Sequence, residues 1–428
     1  MTQVSQRVRT PDRPCVDGLG QSAIRLNRRA VPREIAFWLV AYVFGAVILG
    51  TAVPAPLYAI YQRQWHFSSL VLTLIFAVYA VAVLATLLLA GRASDQAGRK
   101  PVMAVALGFG AASTVLFIFA SSPGWLYPAR ILSGVSAGLM TGCATAALTE
   151  MVRESDDRRA SLVATGANAS AAALGPLMAG LFAQYLPRPT TLVFEVYLGF
   201  LAVAAVAVAF MPETVTRRER PRLGFTGLAI PADGRREFIA AGVAAFAAYA
   251  LNGLFASLVP NFTTAMLHHV NYAVAGAVTC LFFGVAAVAA VGLARFNSRP
   301  VLLAGLGLFL VGLVLVVAGM SAASLALFLI ATVVAGAAFG ALVIGSLSAA
   351  NRLAAPEMRA QVISGYFVFA YAGLAIPVVG VGVAVDYVGN FRAVLGCSIV
   401  LGLLCVLSAA GIAGDGGPRR LLARAGTR

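Results

Sequence analysis

Charged residues are scarce in this chain of 428 residues, and acidic residues are scarcer than basic ones. Asp, Glu, Lys and Arg make up 11% of the sequence, with 16 acidic against 31 basic residues. A soluble domain of ordinary composition carries about 25% charged residues, so the composition excludes that class. The 60% share of hydrophobic residues is typical of a chain whose main solvent is lipid.

Histidine and cysteine are also rare. The three histidines, His66, His268 and His269, fall in predicted loops on one side, so no Ser-His-Asp set can be assembled from the apolar segments. The five cysteines have no metal-ligand spacing, which favours small packing residues. The sequence therefore predicts neither an enzyme nor a metal site, and no cofactor.

Apolar runs long enough to cross a bilayer, which needs about 20 residues per helix, recur along the chain. Runs this long are helices, because barrel strands would alternate over about ten residues. The predicted fold is an all-α integral membrane protein. Its twelve predicted spans are 36–60, 69–90, 102–120, 124–149, 161–184, 191–211, 239–260, 272–294, 301–319, 323–350, 361–385 and 392–413.

The net charge of +15 does not indicate nucleic-acid binding, because the basic residues are sorted by loop. Sixteen lie in the loops after even-numbered spans and three, Arg63, Arg188 and Arg392, after odd-numbered spans. Positive loops stay in the cytoplasm. We therefore expect a plasma (inner) membrane protein with both termini on the cytoplasmic side. We expect no signal peptide, since the first 30 residues lack an apolar core.

The chain divides into two similar halves. "GRKPVMAVALGFG" and "SRPVLLAGLGLFL" follow spans 2 and 8, and Arg159-Ala160 and Arg359-Ala360 lead into spans 5 and 11. Duplicated six-helix halves around a midplane cavity are a transporter architecture. We predict a basic tail over 1–34, a first half over 35–211, a cytoplasmic linker over 212–237, a second half over 238–413 and a basic tail over 414–428; both tails can contact anionic lipid.

Four motifs resemble those of the major facilitator superfamily. "GRASDQAGRKPV" is similar to its loop signature G-x-x-x-D-x-x-G-R-[RK], "LYPARILSGVSAG" to its L-x-x-x-R-x-x-x-G pattern, and "PET" follows span 6. "LGPLMAG" resembles a motif of the drug and proton antiporter branch at Gly175, Pro176 and Gly180, with Ala179 in place of one glycine. The resemblance implies twelve helices in two pseudo-symmetric halves that work by alternating access.

The loop after span 2 holds Gly91, Asp95, Gly98, Arg99 and Lys100. Its glycines allow tight turns, and its charges suit helix ends. The resemblance implies a cytoplasmic latch while the cavity is open outward, with Asp95 facing the region 359–364. The partners expected for Arg99 are the acids after span 4; Glu150, at the end of that span, is expected to pair with Arg99 or Arg159. The alternative is that these charges only hold the loop in water and fix topology.

Arg130 is a basic residue well inside a span, where an isolated arginine is costly. The family pattern implies a role in coupling or substrate attraction; the alternative is snorkelling to the outer interface. Glu195, near the outer end of span 6, is a second coupling candidate and a possible partner of Arg130. Many antiporters of the superfamily carry a carboxylate in helix 1, which span 1 lacks.

Uncharged polar side chains are the candidates for the substrate cavity, and they suit a hydrophobic or weakly polar solute. We predict a transporter that exports such a solute in exchange for protons. We expect no obligate protein partner. Uptake by proton symport is an alternative, and a non-transporting membrane sensor is an alternative of another class. The cavity candidates are Tyr42, Tyr79, Asn168, Tyr249, Asn252, Tyr366 and Tyr371.

The predicted topology can be tested by single-cysteine labelling in a background without native cysteines. We expect cysteines at positions 63, 188 and 392 to react with an impermeant maleimide in intact cells, because these loops face outward. Cysteines at 99, 159 and 299 should react after lysis. External labelling at position 99 would contradict the topology.

Overall fold

The computed structural model describes residues 31–91, 93–152, 157–215, 224, 227–231, 234–267 and 271–414. Twelve helices in these ranges are long and apolar enough to cross a membrane, which confirms the predicted spans. They are α1 (Arg33–Trp65), α2 (Ser69–Ala90), α3 (Arg99–Ile118), α4 (Pro123–Met151), α5 (Asp157–Tyr185), α6 (Leu192–Phe210), α7 (Arg235–Leu267), α8 (Tyr272–Leu293), α9 (Ser298–Ser321), α10 (Leu325–Leu353), α11 (Arg359–Val388) and α12 (Asn390–Gly414).

Several predictions fall on residues outside these ranges. They concern most of the two basic tails, much of the linker, Glu154 and Asp156 after α4, and His268 and His269 before α8. Within the described part, α1 consists of two helices, Arg33–Ala52 and Pro54–Trp65, joined at Val53. The break follows from Pro54, whose ring removes a backbone donor inside the apolar run.

Equivalent contacts in the two halves support duplication. Gly134 and Gly138 of α4 pack against the backbone of α2, and Gly336 and Gly340 of α10 pack in the same way against α8. Small residues at this spacing let membrane helices approach closely. A second repeated contact joins the ends of peripheral helices: Lys100 donates to the carbonyl of Ala209 at 3.0 Å, and Arg299 donates to that of Ile412 at 3.0 Å.

We call the end of the bundle that carries the loop Gly91–Lys100 the basic end, and the end that carries Arg188 the opposite end. The halves touch closely at the opposite end. A methyl group added at Gly180 of α5 would overlap the Tyr272 carbonyl of α8, and one added at Gly276 would overlap the Pro176 carbonyl. The Tyr272 amide also donates to the Gln184 side chain at 3.0 Å.

A second close contact between the halves lies at the same end. Gly382, near the end of α11, faces Thr73 in the first turns of α2, and a side chain at position 382 would overlap the Thr73 hydroxyl. Ala256 of α7 is buried in a cluster with α1 and α2 residues that includes Leu57 and Tyr58. The structure is therefore closed at the opposite end by backbone contact between α5 and α8 and by side-chain packing of α7 and α11 against α1 and α2.

We expect Gly276→Val to open the opposite end, because overpacking costs about 1–3 kcal/mol and would shift the equilibrium roughly 5- to 150-fold. A cysteine at the buried Ala256 should then react faster with a maleimide. Gly284→Val on the same helix is the control, since its added side chain meets open space. Equal labelling rates in the two variants would contradict this account of closure.

Candidate functional site

The guanidinium of Arg99 organises the loop at the basic end. Its Nη1 lies 2.7 Å from Asp95 Oδ1, and its Nη2 lies 2.6 Å from Glu150 Oε1. The Arg99 Nε also donates to Glu150 at 3.3 Å. Arg99 is only 6% exposed, whereas the Asp95 side chain is 57% exposed. Glu150 thus takes the fork geometry that makes arginine–carboxylate pairs strong.

Glu213 is a part of this cluster that sequence reasoning missed. Its carboxylate accepts hydrogen bonds from the backbone amides of Arg99 at 2.7 Å and Lys100 at 3.1 Å, at the N-terminus of α3. A carboxylate is favoured there by the free amides and the helix dipole. Thr214 in turn donates to Glu150 at 2.6 Å. The available signal was the acid of the "PET" segment directly after span 6.

The structure also gives the partners of the other charged residues that were predicted at the loop. Glu150 pairs with Arg99, and Arg159 instead forms two bonds of 3.0 and 3.1 Å with Glu34. Asp95 lies against Arg99 of its own loop; its contact with the start of α11 is implied for the arrangement open outward and stays a prediction. Gly98 takes a φ of 96°, which explains why a glycine stands before α3. Gly91 is the exposed residue after α2.

Arg130 is buried in the half of α4 nearer the opposite end, with 1% of its surface exposed. Its Nη1 donates to the Thr51 carbonyl at 2.8 Å, and its Cζ lies 4.1 Å from the centre of the Tyr79 ring and 5.6 Å from that of Phe76. The head group therefore points into protein and does not snorkel to the interface.

Glu195 does not join Arg130. Its carboxylate lies 3.2 Å from Arg188 in the loop at the opposite end, and both side chains are exposed. The predicted pairing rested on similar depths along α4 and α6. Depth does not fix the direction in which a helical side chain points, and the first turn of α6 directs Glu195 to the loop.

Aromatic side chains from both halves meet beside Arg130. We call Tyr79, Tyr249, Phe339, Phe367 and Tyr371 the aromatic site. Tyr249 lies 6.0 Å from Tyr371 and 5.8 Å from Phe339, and Phe367 lies 6.1 Å from Tyr371, measured between ring centres. Tyr79 and Tyr371 pack against the same cluster of buried residues. All five rings are partly exposed and lie near the middle of their helices.

The structure brings some predicted cavity residues together and separates others. Tyr366 is buried next to the aromatic site, with its hydroxyl 3.1 Å from that of Ser346. Tyr42 points elsewhere, since its hydroxyl donates to the Phe200 carbonyl of α6 at 3.1 Å. Asn168 is exposed on α5 and Asn252 is half-buried on α7. Phe339 and Phe367 were missed, because a phenylalanine in an apolar span gives no signal of its own.

The small-residue face of α5 packs against two helices. Gly175 faces α1, where an added methyl group would lie 2.7 Å from the Leu49 carbonyl. Pro176 and Gly180 face α8, as described above. This segment thus lies where the first half meets the second.

These features define a class of protein: a multi-pass membrane protein built from two six-helix halves. The family model described as Major Facilitator Superfamily matches residues 39–294. The chain belongs to this superfamily. Membership, together with the transporter relatives, indicates a transporter and not an enzyme.

Two curated relatives illustrate the similarity. The chain is 34% identical over 161 residues to the puromycin resistance protein pur8 of Streptomyces alboniger, covering 36% of this chain and 32% of that protein. It is 28% identical over 197 residues to the multidrug transporter MdfA of Edwardsiella ictaluri, covering 46% and 47%. The matches therefore span less than half the length of these relatives.

A solved structure confirms the fold. The crystal structure of the peptide transporter POT matches with a TM-score of 0.71 at 15% identity, over 89% of this chain and 95% of that one. At this identity the likeness concerns the fold alone.

We expect Arg99→Ala to lower the free energy of unfolding by about 2 kcal/mol, because it removes a buried, charge-assisted fork from Glu150. Thermal unfolding in detergent would show this as a lower midpoint. Lys100→Ala is the neighbouring control, as the Lys100 side chain makes an exposed bond to a carbonyl. Equal midpoints for the two variants would show that the fork adds no stability.

Proposed function

We propose that this protein exports a small, hydrophobic or weakly polar solute by alternating access, coupled to protons. The observation that carries the proposal is the aromatic site, which combines Tyr79 of the first half with rings of the second half. A solute held there touches both halves, so its binding depends on how they are arranged. Ligand sites lined by aromatic side chains with few polar groups are typical of apolar solutes.

The contacts at the opposite end support a loading step from the basic end. On the topology predicted from loop charge, the basic end is cytoplasmic. Closure by Gly180, Gly276 and Gly382 would then seal the outer side while a solute enters from the cytoplasm. The α5 motif would serve as this seal, and the basic-end loop as the latch for the reverse arrangement.

The latch proposal concerns the arrangement in which the basic end closes. In the present arrangement Asp95 is more than half exposed and bound within its own loop. We propose that closure brings its carboxylate to the start of α11. Arg99, held by Glu150 and by the capped start of α3, would position Asp95 for that contact.

Proton coupling is assigned to carboxylates at the basic end. Arginine does not release its proton in proteins, so Arg130 cannot itself carry one. The described acidic side chains lie at helix ends or in loops. Protonation of Asp95 or Glu150 would weaken their attraction to Arg99, as protonation of Glu195 would weaken its attraction to Arg188. We favour Asp95 and Glu150 over Glu195 as the coupling groups because they belong to the cluster that the latch proposal rearranges.

The names of the relatives support export. One is called a puromycin resistance protein and another a multidrug transporter; resistance to a compound follows when it is moved out of the cell. The same fold can also serve uptake, so direction is tested directly. Everted vesicles in a medium that contains Nile red should take up the dye when their interior is acidified, and collapse of the pH gradient should abolish uptake.

A deletion strain gives an independent test of direction. Hypersensitivity to hydrophobic compounds in a growth panel is expected for a lost exporter. Failure to grow on one nutrient would favour the symporter, and absence of flux for every compound in vesicles would favour the sensor.

We expect Asp95→Asn to reach the membrane at normal levels and to transport at least about fivefold more slowly. The exposed pair with Arg99 is worth at most about 1 kcal/mol of stability, so folding should not suffer, whereas the latch would lose its charge. The measurement is proton-driven flux at matched expression. Full transport by this variant would show that the loop charges only set topology.

We expect Arg130→Ala to insert normally, since removal of a cation from the membrane interior eases insertion by up to about 2.5–3.5 kcal/mol. Solute counterflow and proton-driven flux should be measured side by side. Loss of both would place Arg130 in solute binding, and loss of driven flux alone would place it in coupling. Wild-type behaviour in both assays would contradict any transport role.

A further inference from the structure

Arg130 is a buried cation whose charge is not balanced by a carboxylate in the described structure. Its described contacts are the Thr51 carbonyl and the rings of Tyr79 and Phe76. Its Nε is buried and has no hydrogen-bond partner. The ion pairs among the described residues involve other arginines. Burial of a charge is costly unless it is paired, so this arrangement points to a missing negative partner.

Two further polar atoms near Arg130 lack partners. The hydroxyls of Tyr58 and Tyr61 in α1 are buried without a hydrogen bond. Both tyrosines belong to one buried cluster with Phe76, whose ring centre lies 5.6 Å from the Arg130 Cζ. Hydroxyls and an Nε–H can all donate to an oxygen, so this part of the protein offers donors in excess of acceptors.

The aromatic site lies within the field of this cation. Tyr79 contacts the guanidinium at 4.1 Å and packs against the same buried cluster as Tyr371, whose ring centre lies 6.0 Å from that of Tyr249. Aromatic faces on their own attract cations. Here a protein cation already occupies the neighbourhood of Tyr79, and the nearest described acids are at helix ends. A second cation at the site would therefore be repelled.

We infer that the site selects an aromatic solute that carries an anionic group and discriminates against cations. The ring system packs against Phe339, Phe367 and Tyr371, and the anionic group lies beside Tyr79, where the tyrosine hydroxyls can donate to it. The inference rests on the proposed function for the site's role in transport. Binding at equilibrium tests it without flux.

The test uses three probes with one ring system: 1-naphthylacetate, 1-naphthylacetamide and 1-naphthylmethylammonium. The full chain is placed in nanodiscs of phosphatidylcholine at pH 7.5, and each dissociation constant is measured by calorimetry. We expect the anion to bind at least about tenfold more tightly than the cation, with the amide between them, because the field acts at low local dielectric. Equal or tighter binding of the cation, or no saturable binding of any probe, would overturn the inference.

Variants distinguish the effect of the Arg130 charge on probe binding from the effect of surface charge in general. Arg130→Gln should weaken binding of the anion about tenfold and leave the amide unchanged, and Arg130→Lys should keep the order of the probes. Arg63→Gln removes an exposed cation at the same end of the bundle and should change none of the three constants. A preference for the anion that persists in Arg130→Gln would overturn the assignment to Arg130.

If Arg130→Gln does not fold, the order of the three dissociation constants in the wild-type protein and in Arg130→Lys tests the inference. A protein that binds the anion preferentially but moves no probe in vesicles would refute the export proposal and leave this inference standing. A protein that moves the neutral probe but binds the cation more tightly than the anion would refute this inference and leave the export proposal standing.

Discussion

A charge within the membrane must find its partners inside the protein, and the positions of the ionic groups in this chain follow from that requirement. The described ion pairs lie at helix ends, where water or loop residues complete them. Arg130 is the buried exception, and its surroundings consist of a carbonyl and two aromatic faces. The five residues of the aromatic site are uncharged, so on the inference drawn above Arg130 sets the sign of the potential there.

Duplication supplied the scaffold, and the difference between the halves supplies the site. When Gly134 is aligned with Gly336, Arg130 falls at Thr332, whose hydroxyl is satisfied by the Phe328 carbonyl at 2.8 Å. The helix contacts of the two halves therefore repeat while the charge does not. The second half instead contributes four of the five rings of the aromatic site.

The sequence was sufficient for the number of spans, their approximate bounds and the similarity of the halves, because lipid imposes a length and a polarity on every helix. It limited the partner of Glu150 to Arg99 or Arg159, because both lie at the same end of the bundle as Glu150, and the structure pairs Glu150 with Arg99. It failed where the direction of a side chain mattered. Glu195 and Arg130 have similar depths but different orientations, and Tyr42 points to α6. Glu213 was missed, because its role depends on how the end of α6 lies against the start of α3.

The glycine contacts at the opposite end also bear on how fast the halves can part. Side chains such as Leu or Met lose rotamer entropy when an interface forms, whereas glycine and alanine lose none. The contact of Gly180 and Gly276 with backbone carbonyls orders few rotamers at that point, so its separation releases little side-chain entropy and requires no repacking of interlocked side chains. Such an interface can form and break with a small entropic penalty in either direction, as a gate that opens once per turnover requires.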